Sequence, residues 1–192
     1  WAAADINRLS LGVQTFQSSH LEFLERLHTP DVLERALQRI QSSPIGNYSI
    51  DLMFGLPEQS LKEFDNDVDQ ALSWKPNHIS LYGLTYHEGT PLFDDLKQGA
   101  VTKIDESLEA EMYMLAHEKL TSDQFEHYEV SSYCHPGYSS RHNRRYWQLK
   151  DVLGLGPGAA SNVGNIRFQN LEDIDQWERN TSDQQFSYQV TE

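Results

Sequence analysis

The chain reads as an α/β protein in which a largely parallel sheet is covered by helices. Segments 7–14, 48–55 and 78–85 are each rich in Leu, Ile, Val, Phe or Tyr and end on Gly or a polar residue, as buried parallel strands do. Stretches of helical period separate them. Two of those stretches open on Ser-x-x-Glu, the pattern that caps a helix N-terminus. Strand and helix alternating at this spacing form β-α-β units, either doubly wound or closed toward a barrel.

Ser19-His20-Leu21-Glu22 predicts a helix after the first strand. Thr29-Pro30-Asp31 then starts a second, with Val32, Leu33, Ala36, Leu37 and Ile40 on one face. After the second strand, Ser60-Leu61-Lys62-Glu63 opens a helix carrying Leu61, Phe64, Val68, Ala71 and Leu72. The third strand leads into a loop, 86–91, and then a helix over 105–120 with Leu108, Met112, Leu115 and Ala116. A short strand is expected over 128–133 and a short helix over 171–177, before a polar tail. Neither an internal repeat nor an interdomain linker is evident.

At 192 residues, 38% hydrophobic and 11% aromatic, the chain suits one compact core. No apolar run approaches the roughly 20 residues of a membrane span and no leader pattern opens the chain, so a cytoplasmic protein is expected. The 29 acidic and 15 basic side chains give a formal charge of −14, which argues against nucleic acid and anionic lipid as partners. Arg141, Arg144 and Arg145 are a local exception, suited to a few carboxylates or to salt bridges with the acidic surface. The single cysteine, Cys134, leaves no intrachain disulfide and no all-cysteine metal site. Opening at Trp1 and running directly into a strand, the chain looks like a fragment.

In parallel α/β folds ligands collect at the carboxyl ends of strands, so polar residues there carry meaning. Gln14 closes the first strand. Asp51 sits inside an apolar segment, where an unpartnered carboxylate would cost several kcal/mol; its partner is either a neighbouring Arg or a ligand hydroxyl or amine. With Arg26 on the following helix, these three suit a ligand bearing a carboxylate, a ribose and an adenine. Separately, His142-Asn143-Arg144-Arg145-Tyr146-Trp147 groups an imidazole, guanidinium groups and two flat aromatics. Heme would use each of these, with His142 toward iron, Tyr146 and Trp147 on its faces and the arginines on its propionates. The alternative puts His142 and Asn143 in loop hydrogen bonds and Tyr146 and Trp147 in the core. Cys134 ranks below His142 as a heme ligand. The glycines of 154–158 lack the phosphate-loop pattern and point to tight packing or close backbone approach, and the His117/His127 and His135/His142 pairs do not fit a zinc pattern.

Over residues 7–177 the ordered blocks Asn7-Arg8-Leu9-Ser10-Leu11-Gly12-Val13-Gln14-Thr15-Phe16, Asp51-Leu52-Met53-Phe54-Gly55-Leu56-Pro57, Leu81-Tyr82-Gly83-Leu84-Thr85, Gly89-Thr90-Pro91, Tyr128-Glu129-Val130-Ser131 and Leu153-Gly154-Leu155-Gly156-Pro157-Gly158-Ala159 join the His142–Trp147 block. Together they resemble radical S-adenosylmethionine (SAM) proteins related to oxygen-independent coproporphyrinogen III oxidase, in the heme-chaperone (HemW-type) branch. The resemblance implies the later half of a partial (β/α) radical SAM barrel over 1–125 and the start of a C-terminal α+β region over 126–192. It implies SAM and a 4Fe-4S cluster as cofactors, with Gln14, Arg26 and Asp51 on SAM and backbone contacts near Thr85 and Ala160. The family's Cys-x3-Cys-x2-Cys cluster motif does not occur in this chain, so the cluster ligands are expected upstream of it and the chain alone is not expected to cleave SAM. The His-Asn-x-x-Tyr-Trp block implies the branch that binds heme and inserts it into acceptor proteins, with His142, Arg144, Arg145, Tyr146 and Trp147 at the heme and His142 the candidate iron ligand. The other branch would oxidatively decarboxylate coproporphyrinogen III.

Overall fold

Period-two alternation organises the first part of the chain. In the computed structural model, which describes residues 2–182 and 188–190, strands β1 (Leu9–Gln14), β2 (Tyr48–Phe54) and β3 (His78–Gly83) run parallel and adjacent. Their registers align Leu11 with Ile50 and Ile50 with Ile79, and likewise Ser10 with Ser49 and Ser49 with His78. Residues in register share a face. One face is therefore Leu9, Leu11, Val13, Ile50, Leu52, Phe54, Ile79 and Leu81, and the other is Ser10, Gly12, Ser49, Asp51, His78 and Ser80.

The helices pack on the apolar face. These are α1 (Ser18–Phe23), α2 (Pro30–Gln41), α3 (Leu61–Ser73) and α5 (Glu106–Ser122); a fifth helix, α4 (Pro91–Gln98), adds no residue to this core. Leu21, Leu33, Leu37, Phe64, Val68, Met112, Ala116 and Leu120 form one cluster with the apolar strand residues. Each fully buried Leu, Ile or Phe contributes roughly 1.5–3 kcal/mol. Covering a sheet on one face only is barrel-like geometry, not the doubly wound alternative.

Three local expectations change and one holds. Ser19 does not cap α1, which begins at Ser18 after Gln17 without a side-chain cap. Gln17 N–H turns back to Thr15 Oγ1 at 3.0 Å, so the chain enters the helix early. The Ser60–Glu63 box does form: Ser60 Oγ accepts from Glu63 N–H at 3.2 Å and Glu63 accepts from Ser60 N–H at 2.8 Å. Helix α4 was not anticipated, although Thr90-Pro91 at its start and left-handed Gly99 at its end are its signals. The strand expected over 128–133 is instead a hairpin of β4 (Glu126–Glu129) and β5 (Ser132–Cys134), antiparallel to each other and to β3. Its reversal is held by Ser131 N–H donating to Glu129 Oε2 at 3.1 Å and Tyr113 Oη donating to the Val130 carbonyl at 3.1 Å.

The sheet order is β1-β2-β3-β5-β4, and the chain divides into two compact units at Ser139/Ser140. A boundary at 125/126 would separate the hairpin from the sheet it completes. The second unit holds α6 (Arg141–Trp147), an antiparallel sheet of β6 (Ala160–Val163), β7 (Ile166–Asn170) and β8 (Tyr188–Val190), and α7 (Ile174–Ser182). The helix expected over 171–177 starts later because the Asp173 carboxylate accepts from Gln176 N–H at 2.7 Å. Gly154 permits tight packing, since a side chain there would run into the Ala159–Ala160 backbone. Among the described residues no helix is long and apolar enough to cross a membrane.

Asp67, on α3 and wholly buried, anchors the loop after β1. Its carboxylate accepts from Thr15 Oγ1 at 2.6 Å, Phe16 N–H at 3.0 Å and Gln17 Nε2 at 3.1 Å. Burial pushes its carboxyl above the ordinary carboxylate range, and those three donors pull it back. Asp67→Ala strands buried donors and is expected to destabilise the protein by roughly 3 kcal/mol, read as a lower denaturant midpoint with unchanged slope. An Ala variant as stable as the parent would show that the loop does not depend on this carboxylate.

Candidate functional site

Gln14 sits where β1 slips register, between Gly12 and Gln14, and adopts left-handed backbone at φ 68°. Such a conformation is unusual for a residue with a side chain and persists when its surroundings hold it. Asp67 supplies that hold through the very next residues, Thr15, Phe16 and Gln17. Gly12 makes room: a Cβ there would lie 2.7 Å from Gln14 Nε2, so the Gln14 amide folds back over Gly12. Gly12 pairs with Asp51, which brings the Gln14 amide and the Asp51 carboxylate together on adjacent strands.

Asp51 is half-buried and is partnered by hydroxyls rather than an arginine. Ser10 Oγ donates to its two oxygens at 3.1 and 3.0 Å, and Ser49 Oγ lies 3.3 Å from Oδ1. Thr85 is exposed just beyond β3, its hydroxyl donating to the Gly83 carbonyl at 3.4 Å. Arg26 is exposed just beyond α1, its backbone N–H bound to the Leu21 carbonyl at 2.9 Å. The first unit thus groups Gln14 with Asp51 and sets Thr85 past the end of the next strand. Ala160 belongs to the second unit, exposed at the start of β6.

The polar face continues beyond the residues singled out by sequence. Ser49 Oγ is 2.8 Å from His78 Nδ1, and His78 Nε2 is 2.8 Å from Tyr128 Oη. Burial first, and the nearby Arg8 charge second, push the His78 imidazole down to about 4. Arg8 Nε and Ser132 Oγ are buried without a hydrogen-bond partner among the described residues, so this region retains donor capacity. The signal for Ser49 was present as period-two spacing with Asp51, hidden within a strand read as apolar, whereas Ser10 and His78 come to the same face only through strand register.

These groups fit SAM, whose amine, carboxylate, ribose hydroxyls and adenine need acceptors, cations and an amide. They do not fit an iron–sulfur cluster. Cys134 is the sole cysteine and is buried, and among the described residues no group of three or more His, Cys, Asp or Glu could hold a metal.

In the second unit, Arg141, His142, Arg144, Arg145, Gln148 and Lys150 line an open cavity of about 460 Å³. Ser140 caps α6 by accepting from Asn143 N–H at 3.3 Å, and Arg145 Nε donates to the Asp151 carbonyl at 3.1 Å. His142 meets Tyr146 edge-on at 5.1 Å. Tyr146 and Trp147 are 48% and 58% exposed, so neither is a core residue. Gln148 and Lys150 extend the cluster beyond the residues anticipated from sequence.

The His78 shift carries a pH dependence with a definite sign. The folded state holds this proton less tightly than the unfolded state, so the contribution is complete above about pH 6.5 and is lost as pH falls toward about 4. The loss approaches roughly 3 kcal/mol. Urea midpoints of the parent and His78→Asn at about pH 7.5 and about pH 4.5 measure it, with a flatter response expected for the variant. Identical responses would assign the acid sensitivity to other groups.

No protein-family model matches the chain. It is 34% identical over 170 residues to the heme chaperone HemW of Lactococcus lactis subsp. lactis, covering 88% of this chain and 45% of that protein. It is 38% identical over 159 residues to the mitochondrial radical S-adenosyl methionine domain-containing protein 1 of Mus musculus, covering 83% and 36% respectively. The chain spans about half or less of the length of the curated relatives it matches. The structure of coproporphyrinogen III oxidase (HemN) from Escherichia coli, a radical SAM enzyme, aligns with a TM-score of 0.79 at 18% identity over 98% of this chain and 46% of that one, and so shares the fold. Over the stretch it spans, the chain belongs with the proteins named heme chaperone HemW and radical S-adenosyl methionine domain-containing protein 1, to which it is 32–40% identical.

Proposed function

We propose that this chain is the part of a heme chaperone that positions SAM in its first unit and takes up heme on α6 for delivery to an acceptor protein. The observation that carries the heme reading is the cavity lined by His142, Arg141, Arg144, Arg145 and Lys150 on a chain whose formal charge is −14. Heme brings an iron that accepts imidazole nitrogen and propionates that pair with guanidinium groups. His142 is exposed, as an axial ligand to an incoming planar molecule must be. Arg144, Arg145 and the neighbouring cations suit the propionates, and exposed Tyr146 and Trp147 offer flat apolar surface to the macrocycle. HemW-named relatives at 32–40% identity support the same choice over the oxidase branch.

For SAM, Gln14 offers an amide, Asp51 an acceptor for an amine or hydroxyl, and Arg26 a cation for the carboxylate. Thr85, just past the end of β3, completes the assignment within the first unit. SAM supplies a sulfonium for reductive cleavage when a cluster is present; this chain's share is to bind and orient it.

Absorbance titration of heme into the full-length protein tests the cargo assignment. His142→Ala is expected to shift the Soret band and weaken binding at least about tenfold, and the Arg144→Ala/Arg145→Ala pair to weaken it further in a salt-dependent way. An unchanged Soret band and affinity would remove His142 as the ligand, and a parent protein that takes up no heme would remove the chaperone role.

Gly12→Ala tests the SAM assignment. The added methyl meets only the flexible end of Gln14, so the melting temperature should hold while SAM affinity, by calorimetry, falls severalfold. Parent-like affinity would mean that the Gln14 amide does not contact SAM.

A further inference from the structure

One hydrogen-bonded chain runs across the polar face of the first unit. Tyr128 Oη lies 2.8 Å from His78 Nε2, His78 Nδ1 lies 2.8 Å from Ser49 Oγ, and Ser49 Oγ lies 3.3 Å from Asp51 Oδ1. Ser10 Oγ closes on the same carboxylate from β1 at 3.0 Å. Ser49 has a single hydroxyl proton, and that fact selects a direction. If Ser49 gave its proton to His78, two oxygens with lone pairs would face each other between Ser49 and Asp51. If His78 carries its proton on Nδ1 and donates to Ser49, then Ser49 donates to Asp51 and Nε2 accepts from Tyr128. Every link then has one donor and one acceptor.

We infer that His78, in its neutral Nδ1–H form, is a positioning residue that holds the Ser49 hydroxyl proton on Asp51 and so fixes the carboxylate that meets an amine or hydroxyl of the ligand. This role rests on Asp51 being a SAM-binding residue. His78 touches no ligand atom in it; it acts through Ser49.

The surroundings of His78 suit the neutral form. Ser49 faces it from β2, Tyr128 from β4 by both its hydroxyl and its ring edge at 5.6 Å, and Cys134 lies opposite it on β5. The Arg8 guanidinium is the charged group that bears on it. None of these is an anion, and His78 is 1% exposed, so no counter-charge holds a second proton. The same reasoning explains why a histidine serves better than an amine or a carboxylate at this position: it is both a donor and an acceptor while uncharged.

Two measurements on the cluster-reconstituted full-length protein test the inference. Histidine ¹⁵N NMR should find His78 neutral with its proton on Nδ1 at pH 7 and still neutral near about pH 5; an Nε2–H tautomer overturns the role. Calorimetric SAM affinity should fall about tenfold in both His78→Leu and Ser49→Ala, with most of it recovered in His78→Asn, whose amide places an N–H close to the Nδ1 position. Parent-like affinity in His78→Leu and Ser49→Ala, alongside loss in Asp51→Asn, would overturn the positioning role while leaving Asp51 at the ligand. Parent-like affinity in Asp51→Asn would remove Asp51 from the ligand, and the role of His78 with it. Should His78→Leu fail to fold, Ser49→Ala and the tautomer still decide.

Discussion

A carboxylate within a parallel strand must be met by donors, and the meeting of Asp51 with Ser10 and Ser49 organises the face on which the site is built. Parallel strands are usually apolar on both sides because helices cover both. Here α1, α2, α3 and α5 cover one side, and the other carries Ser10, Ser49, Asp51, His78 and Ser80 in register. Such a sheet is stable only if the polar side closes its own hydrogen bonds or leaves them to a ligand. It does both: Ser49, His78 and Tyr128 are linked, while Arg8 and Ser132 keep buried atoms without partners among the described residues.

Two aspartates divide the work of shaping this site. Asp67 is fully enclosed and spends its acceptor capacity on Thr15, Phe16 and Gln17, which fixes the loop that holds Gln14 in left-handed backbone. Asp51 is half-buried and takes only hydroxyl donors, which leaves acceptor capacity for a ligand. Both are aspartates near β1, and burial separates their roles. The enclosed one is structural because three protein donors already meet it and it is wholly buried.

Charge organises the second unit differently. The chain is strongly acidic, yet Arg141, Arg144, Arg145 and Lys150 gather around one open cavity beside an exposed imidazole. Like charges gathered at one cavity repel unless an anion sits between them, and the chain's net charge of −14 disfavours polyanions. A small ligand with a few carboxylates and a flat apolar body meets both conditions. Tyr146 and Trp147 are exposed on the same helix, as the proposed heme site requires.

Strand positions, their parallel arrangement and the Ser60–Glu63 capping box were legible in the sequence, because apolar runs, strand–helix alternation and capping patterns are local signals. The hairpin at 126–134 was not: two short strands and a tight turn carry the same local composition as one strand, and side chains from Glu129 and Tyr113 make the difference. Candidate ligand residues were legible by type, whereas the partners of Asp51 were not, since Ser10 and Tyr128 reach the same chain of hydrogen bonds from far apart in sequence. The sequence by itself determined the α/β class and the alternation of strand and helix. Only the tertiary structure decided that one face of the sheet is polar, that Asp67 holds the Gln14 loop and that His78 faces Asp51 through Ser49, because strand register and long-range packing bring those groups within hydrogen-bond reach.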